Sequence, residues 1–168
     1  PLVDDAGCVV GIAGLDNPIA DEETLPNTAV VMAGGKGTRL YPLTRDLPKP
    51  MIELAGRPIL ELIVEGLVTR GIVNIYISVN YHAGIIKKHF GDGSAFGATI
   101  EYLEENEPLG TAGALRLMPP NIDLPILVMN GDVLTKADFR GLIDFHANSG
   151  ADAIIAVRSY DIEVPYGV

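Results

Sequence analysis

From residue 28 onward, short apolar blocks alternate between two periods. AVVMA (29–33) is a brief, valine-containing run that suits a strand buried on both faces. A long loop follows over 34–51, and IELA (52–55) predicts a short extended piece. Pro58 suits the first turn of a helix, where its missing N–H is no loss. Ile59, Leu60, Leu62, Ile63 and Leu67 then recur at helical spacing up to Gly71. VNIYISV (73–79) reads as a strand, AGIIKKHF (83–90) as a helix, Asp92-Gly93 as a turn and ATIEYL (98–103) as a strand. GTAGALRLM (110–118) predicts a short helix stopped by Pro119-Pro120, and PILVMNGDVL (125–134) a buried strand. Thr135 is placed to cap a helix over KADFRGLIDFHANSG (136–150), and ADAIIAV (151–157) predicts one more strand.

This alternation implies right-handed βαβ crossovers and an α/β fold whose mostly parallel sheet is covered on both faces. Ligands of such sheets sit beyond the carboxyl ends of the strands. AGGKGTR (33–39) and NGDV (130–133) both fall at predicted carboxyl ends, which marks them as candidate site segments. Upstream, LVDDAGCVVGIA (2–13) predicts two short strands joined by an Asp-Asp-Ala-Gly turn. LDNPIADEETLPN (15–27) is polar, aperiodic and proline-containing, as linkers are. Domain organisation is thus read as an appendage over 1–26 and a core over 27–168. The opening Pro and the VPYGV ending suggest a piece of a longer protein.

Charge sharpens the picture. The net charge is −10, and six of the 22 acids lie in residues 1–26, which contain no Lys or Arg. Residues 27–57 reverse this: Lys36, Arg39, Arg45, Lys49 and Arg57 face only Asp46 and Glu53. A local cationic site in an acidic chain suits a small anionic ligand and argues against a general nucleic-acid partner. No apolar run is long enough to span a bilayer, so no membrane partner is expected. The single cysteine, Cys8, fits a reducing, cytoplasmic setting.

Gly34, Gly35 and Gly37 follow the first core strand directly, where glycine lets phosphate oxygens approach backbone N–H groups. Two common phosphate motifs do not fit. A P-loop needs its Lys directly after the last Gly, but Lys36 precedes Gly37; a dinucleotide fingerprint needs Gly where Leu40 stands. Arg39 offers a planar fork for two phosphate oxygens, and Lys49, between Pro48 and Pro50, is a restrained point charge. The three histidines complete no metal set; His82 and His89 are expected on one helix face, solvated or partly packed. Nothing in the chain suggests a covalent nucleophile.

The stretch AGGKGTRLYPLTRDLPKPM (33–51) resembles the opening motif of the sugar-nucleotide pyrophosphorylases, nucleotidyltransferases that join a sugar 1-phosphate to a nucleoside triphosphate. HFGDGSAFG, PLGTAGAL, NGD and VPYGV follow in the family's order, so the resemblance covers residues 27–168. It implies a Rossmann-like, three-layer nucleotide-diphospho-sugar transferase core, here truncated. Residues 1–26 resemble the tail of a cystathionine-β-synthase (CBS) domain, with a plain linker as the open alternative.

Roles follow from the resemblance position by position. Arg39 and Lys49 would be catalytic, gripping the phosphates, and Asp132 would hold Mg²⁺. Ala33, Gly34, Gly35, Gly37 and Thr38 would meet the nucleotide, as would Glu105, Pro108, Gly110 and Thr111 around the base, with Gly113 allowing close approach. Tyr166 and Gly167 would approach the sugar. Glu105 stands where thymidylyl-type relatives carry a base-reading glutamine. An ionised carboxylate only accepts hydrogen bonds and can take both donors on one edge of guanine, which tilts the expectation to GTP plus mannose 1-phosphate. A uridylyl- or thymidylyltransferase acting on another hexose 1-phosphate, and a nucleotide-sensing domain without catalysis, remain as alternatives. A homo-oligomer is a further expectation. The family's downstream lysine and second metal-binding aspartate do not occur by Val168, so this stretch alone is expected to be inactive.

Overall fold

A computed structural model describes residues 2–3, 9–11, 24–107 and 109–159. β1 (Leu2–Val3) and β2 (Val9–Gly11) pair antiparallel, as the N-terminal pattern predicts; the connecting turn lies outside the described residues. The chain divides into two units, 1–136 and 137–168.

In the first unit, β3 (Leu25–Met32) begins before the expected linker boundary, because Leu25 is buried and its N–H donates to the Gly71 carbonyl at 2.8 Å. β4 (Glu53–Leu54) and β5 (Arg57–Pro58) form a small hairpin leading into α1 (Ile59–Val68). Pro58 therefore sits at the residue flanking the helix, with an extended ψ of 138°, rather than inside its first turn. α1 buries Leu60, Ile63, Val64 and Leu67, each worth about 1.5–3 kcal/mol when removed from water. β6 (Ile72–Val79), α2 (Ala83–Phe90), β7 (Thr99–Glu104) and β8 (Leu127–Asn130) follow. Between β7 and β8, Gly113–Leu117 forms a short 3-10 helix where the sequence predicts a helical piece.

The four long strands form one parallel sheet in the order β7-β6-β3-β8. β3 and β6 lie centrally, and Ala29, Val30, Val31, Ile72, Ile77 and Val79 are fully buried there, which explains their unbroken apolar runs. β8 is shorter and less buried than its sequence suggests. It lies at an edge of this sheet, and Val128 is exposed. From β3 the chain moves toward β6 and then β7, whereas β8 lies on the other flank of β3. The carboxyl ends of β3 and β8 thus form a topological switch point, where doubly wound sheets open a crevice.

The second unit holds α3 (Phe139–Ser149). Its cap is Asp138, whose Oδ1 accepts the Gly141 N–H at 2.9 Å; Thr135 lies too far upstream for that role. The strand expected over 151–157 is not formed. Ile155 and Val157 are 81% and 87% exposed, so their apolar side chains are not packed as a buried strand requires.

Candidate active site

The strand registers place the site. Met32 lies beside Ser78 and Asn130, and Ser78 beside Leu103. Two residues further on, Gly34, Asn80, Glu105 and Asp132 continue these registers as one row across the carboxyl edge of all four strands. Gly131 sets Asp132 close to β3. Its N–H donates to the Met32 carbonyl at 2.8 Å, and a Cβ there would stand only 3.0 Å from that oxygen.

The loop after β3 closes on itself. Gly37 has φ of +63°, and a Cβ on it would come within 2.9 Å of the Lys49 Cβ and 3.0 Å of the Thr44 methyl, so glycine is required twice over. The hydroxyl of fully buried Thr44 donates to the Gly37 carbonyl at 2.9 Å. Pro48 and Pro50 are both buried around Lys49, which opens a 3-10 turn over Lys49–Met51. From that turn the Lys49 ammonium reaches across 83 residues of sequence and pairs with Oδ2 of Asp132. The two charged groups expected to serve phosphate and metal therefore meet in one place.

Arg39 lies on the exposed 3-10 turn Thr38–Leu40, which begins at Gly37. No ion pair among the described residues involves Lys36, Arg39 or Arg45. Three cations without carboxylate partners on one loop form an anion-seeking surface. Gly35 is exposed, and a Cβ there would meet nothing within 4 Å, so its backbone is open to a ligand. Ala33 is instead a wall residue: it is buried, and its N–H is taken by the carbonyl and hydroxyl of Ser78 at 3.1 and 3.2 Å.

Glu105 is 9% exposed and held from three sides. Its N–H donates to the Val79 carbonyl at 2.9 Å, its carbonyl accepts from Asn80 Nδ2 at 2.5 Å, and its Oε2 accepts the Leu109 N–H at 3.1 Å. Its other oxygen, Oε1, would lie 2.6 Å from a Cβ on Gly34, so Gly34 joins the phosphate loop to the loop that begins at Glu105. Gly110, with φ of +84°, and Thr111 are exposed beyond it. Gly113 makes room for its own loop, since a Cβ there would strike Leu109. Pro108, Tyr166 and Gly167 lie outside the described residues.

Sequence reasoning missed Thr44, Ser78 and Asn80, which shape the site through side-chain hydrogen bonds. A polar residue at a predicted strand end was the available signal for Ser78 and Asn80. His82 and His89 do not share a face of α2. His82 precedes the helix with φ of +52°, and His89 pairs with Glu61 on α1 at 2.7 Å. Among the described residues no helix is long and apolar enough to cross a membrane.

A glycine loop at a switch point, facing an acidic strand end through a lysine, agrees with what the chain is similar to. The nucleotidyl transferase family matches residues 28–168, and the chain belongs to it. A mannose-1-phosphate guanylyltransferase of Mycobacterium tuberculosis is 42% identical over 128 residues, 76% of this chain and 36% of that protein. A mannose-1-phosphate guanyltransferase of Debaryomyces hansenii is 40% identical over 146 residues, 83% of this chain and 40% of its own length. The chain thus spans well under half the length of these curated relatives. Among solved structures, HddC from Yersinia pseudotuberculosis complexed with GMP-PN is 32% identical with a TM-score of 0.64, covering 73% of this chain and 55% of that one.

Proposed function

We propose that the protein carrying this chain transfers GMP from GTP to mannose 1-phosphate, releasing pyrophosphate and forming GDP-mannose. The observation that carries this reading is the pairing of Lys49 with Asp132 beside a glycine loop whose other cations have no carboxylate partner among the described residues. The names of the relatives at 42% and 40% identity support the substrates. In this reaction an oxygen of the sugar phosphate attacks the α-phosphorus in line while the bond to pyrophosphate breaks. No protein nucleophile is needed, and positioning and charge supply most of the rate.

Arg39 would grip the triphosphate and offset charge that grows on the α-phosphate, and Lys49 would supply a second cation close by. The residues present fit Mg²⁺: Oδ2 of Asp132 faces an ammonium, Oδ1 retains its lone pairs, and the carboxylate is 28% exposed at the strand edge. Mg²⁺ commonly takes one or two carboxylates plus substrate phosphates; Asp132 would hold it, and the ion would neutralise phosphate charge. Glu105 is 9% exposed and its Oε2 already accepts the Leu109 N–H, so the preference for guanine rests on the names of the relatives. A cytoplasmic setting agrees with the single cysteine.

The deciding experiment measures pyrophosphate release by the full-length protein with GTP, UTP, dTTP and ATP against a panel of sugar 1-phosphates. The fastest release is expected with GTP and mannose 1-phosphate. Faster release with UTP or dTTP would replace the base assignment, and nucleotide binding without release from any pair would make the protein a sensor.

A further inference from the structure

The connection between β6 and α2 contains an unexplained strain. His82 holds φ of +52°, a left-handed conformation uncommon for a residue with a side chain, although histidine tolerates it better than most. Nothing about starting α2 requires it, because the side chain of His82 caps no N–H of the helix. The conformation instead aims the imidazole back at the phosphate loop. His82 Nε2 lies 3.2 Å from the Arg45 carbonyl oxygen, and the Tyr81 hydroxyl donates to the same oxygen at 2.5 Å. A carbonyl only accepts, so Nε2 carries the proton in this contact. The two rings lie against one another, their centroids 4.0 Å apart. Burial, the nearby Tyr41 phenol and the Asp46 carboxylate raise the Tyr81 phenol above its ordinary value of 10.0, so it remains a donor at neutral pH.

We propose that Tyr81 and His82 form a two-donor latch on the Arg45 carbonyl that fixes the phosphate loop to the sheet and so positions Arg39. Arg39 lies between two tethers. On one side Gly37 is bonded to Thr44 and packed on Lys49; on the other the next carbonyl after Thr44 is held by both donors from the β6–α2 turn. Without the second tether the segment from Leu40 to Asp46 keeps the buried Thr44 as its anchor, its other residues being exposed. The Arg39 guanidinium, just ahead of this segment on the same loop, then samples positions that miss the phosphates. Tyr81 and His82 touch no substrate in this scheme; they are positioning residues. The proposal rests on the nucleotidyltransferase reading above.

The test uses the full-length protein with Tyr81→Phe, which removes one donor, and His82→Asn, which keeps a residue tolerant of positive φ. Wild-type turnover and binding of Mg·GTP and GMP are measured first. Each variant is expected to lower kcat by about 3–10-fold and the pair by about 10²-fold, the scale of a small misplacement of a catalytic group. The decisive readout is selective: Mg·GTP affinity falls by about 3–10-fold or more, the scale of one lost hydrogen bond, whereas GMP affinity changes less than twofold. GMP reports the integrity of the base region, so equal loss of GMP and GTP affinity would overturn the positioning role in favour of general damage. Active wild type with unchanged variants would also overturn it. Wild type that neither binds nor turns over any nucleoside triphosphate would sink the functional reading, and the latch with it.

Discussion

At the scale of single residues, the site depends on which charges are already partnered. Lys49 is paired with Asp132, whereas Arg39 stands exposed without a carboxylate partner among the described residues. Among the described residues Arg39 therefore has no ion pair to break before it meets a phosphate. Replacing Arg39 with Ala in the full-length protein is expected to lower kcat for pyrophosphate release by about 10²–10³, as losing one preorganised charge-stabilising donor does. A loss below about threefold in steady-state kinetics would remove Arg39 from the mechanism. The glycines and the charged residues of this site were legible in the sequence, because their types declare their chemistry. The residues that tie the loop down were not. Thr44, Ser78 and Tyr81 look like ordinary polar or aromatic positions until the fold brings Gly37, Ala33 and Arg45 to them.

At the scale of elements, α1 and α2 and the β4–β5 hairpin are joined by one charged cluster. Arg57 Nε donates to Glu61 Oε1 at 2.8 Å and its terminal nitrogen to Glu65, while His89 reaches Glu61 Oε2. The hydrogen bond from Arg57, aided by that from His89 and opposed by burial, holds the Glu61 carboxyl below its ordinary value of 4.5. A carboxyl that ionises more easily in the folded chain than in the unfolded one adds stability above its unfolded pKa. That contribution is lost as pH falls below 4.5 toward the depressed folded value. The chemical-denaturation midpoint of the full-length protein should fall over this window, and Glu61→Gln should start lower at neutral pH and fall less steeply. An identical acid limb in the variant would remove Glu61 as a contributor. Periodicity revealed α1 and α2 because each buries a stripe at helical spacing. It failed at 151–157, since an apolar run makes a buried strand only where its side chains are packed.

At the scale of the whole molecule, a chain of net charge −10 presents a basic loop at the switch point of its sheet. The general field repels a triphosphate and the local one attracts it. Raising ionic strength shortens the Debye length from about 10 Å at 0.1 M to about 3 Å at 1 M, which weakens contacts to exposed cations most. Calorimetric titration of Mg·GTP should show affinity falling by about 3–10-fold over that range. Affinity independent of salt would mean that the phosphates bind away from Lys36, Arg39 and Arg45. The row formed by Gly34, Asn80, Glu105 and Asp132 carries one more implication, for natural length variation. Inserting a single residue into any of the four strands would carry its member of the row about 3.3 Å further and turn it to the opposite face. Hydrophobic content could stay constant while the site came apart. Insertions and deletions in homologous proteins should therefore gather in the crossovers, such as 91–98 and 119–124, and spare the strands even where their side chains drift.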